Sequence, residues 1–545
     1  MFNNKHKMTT LSLTLALALA GVLLLLAMMS ASSPAHAAPP PDFLYVATAG
    51  VDSLNNCADS ATPCRTVQYA VDKASKGDII KVAAGVYTDV HKRPVPPGYL
   101  APPASGVITQ IVYISKTITI AGGYTTTFKD PPNPKANPTI LGAKDPGRIM
   151  VIAGNASPVI HGLHIASGDA TGLGGGWGTR DVGGGVYIIS ATATLTNNWV
   201  YQNTAYDGGG LYLWYSAATL RSNTVTTNTA DWEGGGIVLR ASDATLEGNI
   251  IVSNTAEAHG GGLYLNYSNA TLDGNTVMSN TAEYGGGLNL NWQSAATLND
   301  NTIAANIAGS QGGGVYLNYS NATLNSNTIA SNIADDGGGV RLENDSRAML
   351  SGNMIVSNTA FHGGGVYLRD SDPTLTNTVI ANNWAQHDGG GLYIAWRSSP
   401  RLLHTTIARN TSRDGSGVYI ASEMSGYSAV AMTNTILVSH TVGITVTAGN
   451  TATLESTLWY SNTRDWEGAG ATITGTHNYW GDPLFAADGY HLITGSAAIN
   501  RGVNAGVTVD IDGDPRPDCV LGDIGADEYQ GLSCQRIYLP VVLRN

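Results

Sequence analysis

The most informative segment of this 545-residue chain reads Gly260-Gly-Gly-Leu-Tyr-Leu-Asn-Tyr-Ser-Asn-Ala-Thr-Leu-Asp-Gly-Asn-Thr-Val-Met-Ser-Asn-Thr-Ala282. The pattern recurs every 25 to 27 residues, and each copy opens on a glycine triplet. The triplets begin at Gly183, Gly208, Gly234, Gly260, Gly285, Gly312, Gly337, Gly363 and Gly389, with Gly415-Ser-Gly417 as a degenerate tenth copy. Leu-Tyr-Leu and Ala-Thr-Leu alternate between inward and outward positions, and no helical 3.6-residue period is present. Three short strands separated by bends therefore predict one coil of a parallel β-helix per repeat.

Glycine and asparagine predict how each coil turns. Glycine adopts positive φ without steric cost, so the triplet permits a tight bend and close stacking of backbones. Asparagine enters the left-handed region more easily than most residues. Because equivalent side chains in adjacent coils lie about 4.8 Å apart, two structural amide ladders are expected. They comprise Asn223, Asn249, Asn275, Asn301, Asn327 and Asn353, and then Asn228, Asn254, Asn280, Asn306, Asn332 and Asn358.

Residues 1–37 have the features of a secretory signal peptide. Lys5 and Lys7 precede the apolar run 11–29, and Ala35-His-Ala37 supplies a small-residue cleavage site. The run is close to the length of a membrane span, so an uncleaved N-terminal anchor is the alternative. No later segment is long and apolar enough to cross a bilayer. We therefore expect no transmembrane segment after signal cleavage, and a secreted protein that is extracellular or on a bacterial cell surface.

The four cysteines fall as two near pairs, one toward each end of the exported chain. This arrangement predicts the disulfides Cys57–Cys64 and Cys519–Cys534. A metal site would need histidine or further cysteine close by, and neither pair has them.

The chain divides into four predicted regions. Residues 38–176 contain the strand Phe43–Val46 and a short amphipathic helix at 66–74, which caps the exposed end of the first coils. The regions are the signal peptide 1–37, the N-terminal cap and first coils 38–176, the regular repeats 177–478, and a C-terminal anchor-type module with its tail 479–545.

Two resemblances to known families support this division. The run Cys57 … Pro63-Cys64-Arg-Thr-Val-Gln-Tyr-Ala-Val71 … Gly77-Asp78-Ile-Ile … Gly85-Val-Tyr-Thr88 resembles the first coil of pectate-lyase-like right-handed β-helix proteins of bacteria. The Gly-Gly-Gly repeats are also similar to polymorphic outer-membrane protein passengers, although the Phe-x-x-Asn motif and the C-terminal translocator barrel of that family are missing. The resemblances cover residues 42 to about 479 and imply an all-β, single-stranded right-handed parallel β-helix. They do not imply an activity, because fold does not fix function.

The C-terminal region resembles a different family. Tyr479-Trp-Gly-Asp-Pro-Leu-Phe485 and Asp510-Ile-Asp-Gly-Asp-Pro-Arg-Pro517 are similar to the choice-of-anchor Q module of secreted bacterial β-helix proteins, which implies surface placement rather than catalysis. Asp510, Asp512 and Asp514 offer hard oxygen ligands at alternate positions, so Ca²⁺ is the candidate cofactor. Their spacing fits an EF-hand loop badly, which favours a structural turn.

Charge narrows the range of partners. The chain has 28 Lys and Arg against 40 Asp and Glu, giving a formal net charge of −12. Such a surface does not attract phosphate backbones, so no nucleic-acid partner is expected. Phenylalanine is scarce, with 5 residues, whereas there are 25 Tyr and 10 Trp. That balance suits aromatic residues acting at a surface.

Two aromatic ladders run along the predicted outer surface. The outer tyrosine ladder is the outward residue of Leu-Tyr-Leu, and it comprises Tyr187, Tyr212, Tyr264, Tyr316, Tyr367, Tyr393 and Tyr419. The corner aromatic ladder lies seven residues after each triplet begins, and it comprises Tyr215, Tyr267, Trp292, Tyr319 and Trp396. Aromatic faces on a rim can stack on sugar rings, so the corner ladder with Tyr264, Tyr316 and Tyr367 is the predicted substrate-binding set. The alternatives are ordinary strand propensity for the tyrosines and packing over a loop for the corner.

A third ladder consists of the residue just before each glycine triplet. This pre-triplet ladder comprises Asp207, Glu233, His259, Tyr284, Gln311, Asp336, His362, Asp388 and Asp414. Adjacent coils would place these side chains about 5 Å apart. Asp336, His362, Asp388 and Asp414 are therefore the predicted catalytic column, able to run acid–base chemistry or hold a metal. The alternative is a solvated polar turn.

These patterns favour binding over catalysis, because a binder can use a repeated surface whereas an enzyme needs a few irreplaceable residues. The leading hypothesis is a non-catalytic protein that binds an extracellular polysaccharide or a cell-surface glycan, or acts in surface adhesion. One alternative is a polysaccharide lyase or glycoside hydrolase that uses the Asp/His column. The other alternative is a structural surface spacer.

Overall fold

The computed structural model describes residues 42–144, 146–422, 426–518 and 521–531. The chain winds into a parallel β-helix whose three long sheets contain 16, 15 and 15 strands. Successive strands of each sheet come from successive coils. Their pairing is parallel, apart from the antiparallel pair His91–Pro94 and Val107–Ile114. The predicted all-β parallel solenoid is confirmed.

Each regular coil contributes one strand to each long sheet. Sheet 1 contains Phe43–Val46, Ile79–Ala83, Thr119–Tyr124, Val159–His161, Thr194–Thr196, Thr219–Arg221, Thr245–Glu247, Thr271–Asp273, Thr297–Asn299, Thr323–Asn325, Met349–Ser351, Thr374–Thr376, Arg401–Leu403, Ala429–Thr433, Thr451–Glu455 and Thr472–Thr476. Sheet 2 contains Gly85–Tyr87, Thr139–Gly142, His164–Ala166, Trp199–Tyr201, Thr224–Thr226, Ile250–Val252, Thr276–Met278, Thr302–Ala304, Thr328–Ala330, Met354–Val356, Val379–Ala381, Thr406–Ala408, Ile436–Val438, Leu458–Tyr460 and Tyr479–Trp480. Sheet 3 contains His91–Pro94, Val107–Ile114, Arg148–Ala153, Val186–Ile189, Leu211–Trp214, Ile237–Arg240, Leu263–Asn266, Leu288–Asn291, Val315–Asn318, Val340–Glu343, Val366–Arg369, Leu392–Ala395, Ser416–Ile420, Val442–Val446 and Arg464–Glu467.

Two short sheets occupy the side between sheets 2 and 3, on the segment that precedes each glycine triplet. Their strands are Thr204–Asp207, Thr229–Glu233, Thr255–Ala256, Thr281–Tyr284 and Ile307–Gln311, and then Thr359–Ala360, Trp384–Ala385 and Thr411–Ser412. Helical structure in the described residues is limited to the α-helix Val67–Lys73 and the 3₁₀ turn Trp177–Thr179.

The core is a stack of like residues. Leu263 pairs in register with Ile237 on one side and Leu288 on the other, and all three are fully buried. Leu211, Leu213 and Leu220 are inside the solenoid as predicted, with 1% exposure or less. Stacking identical positions gives each apolar side chain the same neighbours in every coil, which is how a repeat buries a continuous core.

The glycine triplets make the bends that their residue type predicts. Gly260 has a φ of 64°, in the left-handed region. Gly261 has an ordinary φ, but a Cβ there would lie 2.4 Å from the carbonyl oxygen of Thr281 in the next coil. The first glycine is therefore required for the turn and the second for the close approach of backbones.

The amide ladders form as expected, but the asparagines of these ladders are not the residues in the left-handed conformation. Asn275 Nδ2 donates to Leu246 O at 2.9 Å and to Asn301 Oδ1 at 3.0 Å, and its own Oδ1 accepts from Asn249 Nδ2 at 2.9 Å. The positive φ falls one residue earlier, as at Ser253 and Ser279, with 56° and 54°. The earlier residue makes the corner, and this directs the asparagine side chain inward to its buried ladder.

The N-terminal end is capped as predicted. Cys57 and Cys64 form a disulfide, and the helix begins after Thr66, whose hydroxyl accepts from the N–H of Tyr69. Gln68 on this helix accepts from the N–H of Tyr113 at 2.6 Å and donates to its carbonyl at 3.3 Å. The helix thus satisfies backbone groups at the edge of sheet 3 that would otherwise be unpaired.

Several predictions lie partly or wholly outside the described residues. These are the signal peptide with its cleavage site and the Cys519–Cys534 disulfide, since residues 1–41, 519–520 and 532–545 are not described. Within the described ranges, no helix has the length and apolar character of a membrane span.

Residues 481–518 and 521–531 fold back on the outer face of sheet 2. Leu492, Ala498 and Ile524 are buried in one apolar cluster with Ile436 and Leu458 of the solenoid. The described residues from Phe43 onward form one compact unit. The boundaries predicted for the four regions stay a prediction.

Candidate functional site

Six of the seven members of the outer tyrosine ladder are buried, all but Tyr419, which corrects the expectation that the ladder forms an exposed surface. Tyr212 points away from the core of the solenoid but is 0% exposed, and the predicted substrate contacts Tyr264, Tyr316 and Tyr367 are only 2%, 4% and 8% exposed. The pre-triplet segment folds over them: the His259 ring stacks on Tyr264 with centroids 5.9 Å apart. Burial raises the pKa of Tyr264 and of Tyr316. These rings do not present a face to a ligand.

The corner aromatic ladder, by contrast, is exposed over most of its length. Tyr215, Tyr267, Trp292 and Tyr319 are 62%, 52%, 46% and 44% exposed. Their φ angles lie between 46° and 51°, and this left-handed corner turns each ring out of the coil. The fifth member, Trp396, is half-buried beneath the guanidinium of Arg369, 4.4 Å from the ring centroid.

Spacing within the corner aromatic ladder is uneven. The rings of Trp292 and Tyr319 are stacked, with centroids 5.1 Å apart and planes 11° from parallel. Ala241 fills the same position in the coil between Tyr215 and Tyr267. The ladder therefore offers one preformed ring pair, and a gap of a single coil on the far side of Tyr267.

The pre-triplet ladder assembles three of the four predicted catalytic residues. His362 Nδ1 lies 3.3 Å from Asp336 Oδ1, and His362 Nε2 lies 3.8 Å from Asp388 Oδ2. Asp414 instead hydrogen-bonds within its own bend, accepting from Ser412 Oγ at 2.6 Å and from Ser416 Oγ at 2.5 Å. The degenerate triplet supplies Ser416 where other coils have glycine. Its hydroxyl engages the Asp414 carboxylate, so the predicted extension of the column to Asp414 is wrong.

Three further residues complete this cluster. His387 Nδ1 lies 2.8 Å from Asp388 Oδ2. The buried Arg341 donates from Nη1 to Asp336 at 2.8 Å and from Nη2 to Glu343 at 2.7 Å. Sequence reasoning missed all three, although Arg341 stands where the repeat usually has tyrosine and His387 directly precedes Asp388. A charged residue that interrupts an aromatic ladder is the signal that could have found the cluster.

A second charged cluster lies nearer the N-terminus, and its carboxylates are almost fully buried. Arg180 Nη1 lies 3.3 Å from a carboxylate oxygen of Asp207 and of Glu233, and Arg240 pairs with Glu233. Burial, and next the nearby charge of Glu233, raise the pKa of Asp207 to about 7. Because Asp207 and Glu233 are almost fully buried, this cluster is structural.

The calcium candidates are used to build a turn, which corrects the predicted metal site. Asp510 Oδ1 accepts from the backbone N–H groups of Asp512 and Asp514 at 2.9 and 2.8 Å, while Oδ2 accepts from the N–H of Glu528 at 3.0 Å. The carboxylate of Asp512 contacts His491 Nε2 at 2.7 Å. The oxygens of the three aspartates do not converge as one ligand group in the ranges that the structure covers. The alternative interpretation, a structural turn, describes what is observed.

Comparison with known proteins bears on the fold. A family model described as the right-handed beta helix region matches residues 179–303 and 286–458, together a little over half of the chain. A search of curated protein sequences gave no match.

Three solved structures match the chain at low similarity. The periplasmic alginate epimerase AlgG is 12% identical with a TM-score of 0.33, and the match covers 68% of this chain and 78% of that one. Pectate lyase Pel9A is 11% identical with a TM-score of 0.32, covering 90% and 97%. A rhamnogalacturonan lyase is 10% identical with a TM-score of 0.27, covering 80% and 87%. At such values, these likenesses say nothing about activity.

Proposed function

The chain belongs to the right-handed β-helix family, and on that premise we propose that it binds an extended extracellular polysaccharide without cleaving it. The observation that carries this proposal is the corner aromatic ladder. Tyr215, Tyr267, Trp292 and Tyr319 expose 44–62% of their surface along one corner, while the tyrosines of the neighbouring strand are buried. Contiguous exposed apolar surface on a soluble protein marks an interaction site.

The geometry suits a linear ligand. Coils repeat at about 4.8 Å, so the row from Tyr215 to Tyr319 extends over four coil steps, roughly 19 Å. The stacked pair Trp292 and Tyr319 uses its inner faces on itself, so a ligand contacts the outer faces and the edges. The gap at Ala241 leaves a slot between Tyr215 and Tyr267.

Charge favours a neutral polymer over a polyanion. Asp243 and Asp345 are exposed beside the ladder, the chain has a formal charge of −12, and its last lysine is Lys144. A surface of this sign repels anionic chains at low ionic strength. A neutral polysaccharide is therefore the expected ligand.

The same proposal places the protein outside the cytoplasm, in a secreted or cell-surface location. The Cys57–Cys64 disulfide supports this, because disulfides persist in oxidising compartments. We also propose that the C-terminal region, residues 479–545, acts as an anchor-type module.

The test compares binding to immobilised neutral and uronate polysaccharides. Each aromatic contact contributes about 0.5–1.5 kcal/mol, so Trp292→Ala should weaken binding several-fold. Replacing Tyr267, Trp292 and Tyr319 together should nearly abolish it. The matched control is Trp384→Ala, since Trp384 is also 46% exposed but lies on another corner. Equal losses in the triple variant and in the control would refute the binding surface, and no binding to any polymer would favour the spacer.

A second candidate function is catalysis by the Asp/His column. It is favoured by the contacts of 3.3 and 3.8 Å that join Asp336, His362 and Asp388. A lyase or hydrolase using this column should lose 10²–10⁴-fold in rate when His362 is replaced by alanine. Release of reducing ends or unsaturated products by the wild type, and its loss in that variant, would replace the binding proposal with this one.

A further inference from the structure

Two consecutive coils bring two imidazoles and a carboxylate to one point on the surface. His362 precedes the triplet at Gly363, while His387 and Asp388 precede the triplet at Gly389. The N–H of His387 donates to Phe361 O at 2.9 Å, which fixes the register between the two bends. As a result, one ligand atom from each of His362, His387 and Asp388 lies within 4.8 Å of the others.

The separations suit a small divalent ion. His387 Nδ1 and His362 Nε2 lie 2.8 and 3.8 Å from Asp388 Oδ2. Tetrahedral zinc with bonds of about 2.0–2.1 Å requires about 3.3 Å between ligand atoms. The two observed separations lie on either side of this value.

The outer contacts orient His362 for coordination. Its Nδ1 faces Asp336 Oδ1 at 3.3 Å, and the buried Arg341 holds the other carboxylate oxygen at 2.8 Å. When Nδ1–H donates to Asp336, the lone pair of Nε2 points toward Asp388. A carboxylate behind a histidine is the usual support for a metal-binding imidazole.

Neighbouring rings hold both imidazoles in place. The His387 ring stacks on Phe361 with centroids 5.4 Å apart, and the His362 ring packs 5.0 Å from Tyr393. The side chains of His362, His387 and Asp388 are 25%, 44% and 15% exposed. An ion can therefore enter from solvent, and three protein ligands leave a coordination position open.

We propose that His362 Nε2, His387 Nδ1 and Asp388 Oδ2 bind a divalent transition-metal ion such as Zn²⁺, with Asp336 and Arg341 as its support. Imidazole nitrogen is a ligand for zinc, nickel and copper, whereas Ca²⁺ and Mg²⁺ prefer all-oxygen sites. The open position would take a Lewis base from solvent or from a ligand. This site shares no residue with the corner aromatic ladder, so either proposal can be refuted without affecting the other.

The test is metal binding to the tag-free full-length protein after removal of metal with a chelator. Titration with Zn²⁺, followed by calorimetry and elemental analysis, should show a saturable site. His362→Gln and His387→Gln should each remove one bound ion per chain, and Asp336→Asn should weaken binding 10–100-fold. Ca²⁺ should not compete.

The matched control is His259→Gln, because His259 occupies the same pre-triplet position without this set of ligands. It should bind Zn²⁺ like the wild type. Far-UV spectra and melting temperatures of the variants show whether they are folded, and the exposed His387 makes a folding defect from His387→Gln unexpected. His491, Asp512 and Asp527 form a second group of possible ligands, and an ion bound there would remain in both variants. The criterion is therefore the number of ions lost. The absence of saturable Zn²⁺ binding, or the same number of bound ions in the wild type, His362→Gln and His387→Gln, overturns the proposal.

Discussion

The role of a single residue in this solenoid is set by its partners in the adjacent coils. The side chain of Asn280 makes four hydrogen bonds. It donates to Ile251 O and Asn306 Oδ1 at 2.9 and 3.0 Å, and it accepts from the N–H and Nδ2 of Asn254 at 2.9 and 3.1 Å. The residue is fully buried, so water cannot replace those partners.

Asn280→Ala should therefore be strongly destabilising. Each backbone group stranded without a partner costs roughly 1–3 kcal/mol. The substitution strands the N–H of Asn254 and breaks the side-chain ladder between Asn254 and Asn306. Urea unfolding followed by tryptophan fluorescence measures the effect. The exposed Asn269→Ala is the control and should change stability by no more than about 0.5 kcal/mol. Similar midpoints for both variants would mean that the ladder does not contribute.

The raised pKa of Asp207 should make the free energy of unfolding fall as pH rises. Burial and Glu233 raise its pKa to about 7 in the folded protein, against about 3.9 in an unfolded chain. The native state therefore binds more protons between these values, and the carboxyl's contribution to stability is lost from about pH 4 to about pH 7. Asp207→Asn carries no such penalty, so it should gain stability relative to the wild type between pH 5 and pH 8. If the difference in stability between Asp207→Asn and the wild type stays constant across this pH range, the raised pKa of Asp207 is contradicted.

Residue patterns predicted some of these roles and not others. The amide ladders could be predicted, because Asn275 and its equivalents recur at the period of the coil. The burial of Tyr264 could not, because strand alternation shows which face a residue lies on but not what covers that face. His387 was missed because it lies one position outside the ladder, and only the fold brings it to His362.

At the scale of the structural element, the coil depends on backbones that approach too closely for a Cβ atom. Gly261 and Gly274 require glycine for two different reasons. A Cβ at Gly261 would lie 2.4 Å from Thr281 O and 2.6 Å from Gly286 O, whereas Gly274 has a φ of 59° and open space around it. The first position is limited by packing between coils and the second by backbone conformation alone.

Gly261→Ala should therefore be far more damaging than Gly274→Ala. A left-handed residue other than glycine costs roughly 1–2 kcal/mol, which sets the expected loss for Gly274→Ala. The clash at Gly261 involves backbone on the adjacent coil and can be relieved only by separating two coils, so a larger loss is expected. Thermal unfolding of the two variants makes the comparison. Equal melting temperatures would show that two adjacent coils can separate enough to hold the extra methyl group at little cost in stability.

The coil itself was the element most accessible to sequence reasoning. The Leu-Tyr-Leu, Ala-Thr-Leu and Asn-Thr-Val segments become the strands Leu263–Asn266, Thr271–Asp273 and Thr276–Met278. The short strands before the triplets, such as Thr229–Glu233, were not predicted. They carry too little apolar alternation to be recognised, yet they cover the tyrosines and bring the Asp/His cluster together.

At the scale of the whole molecule, the solenoid is covered along part of sheet 2 by residues 481–518 and 521–531. This layer has few regular hydrogen bonds of its own, so its position depends on side chains that bridge to the coils. Arg516 is the central one. Its Nη1 lies 2.6 Å from His404 Nδ1, donates to Asp523 O at 2.7 Å, and pairs with the buried Glu528 at 3.2 Å. Burial and the Arg516 charge lower the pKa of His404 to about 3, which keeps the imidazole neutral beside the guanidinium.

Arg516→Ala should release this layer from the solenoid. Removing one partner of a buried ion pair costs about 3–5 kcal/mol, because the remaining charge of Glu528 has no compensation. Hydrogen exchange should show lost protection across 481–518 and 521–531, while coils 208–360 remain protected, since solenoid coils contact mainly their neighbours. The exposed Arg501→Ala, in the same segment, should leave both regions unchanged. Unaltered protection of the layer in Arg516→Ala would show that its apolar contacts suffice. Loss of protection throughout the coils would show instead that the layer stabilises the entire solenoid.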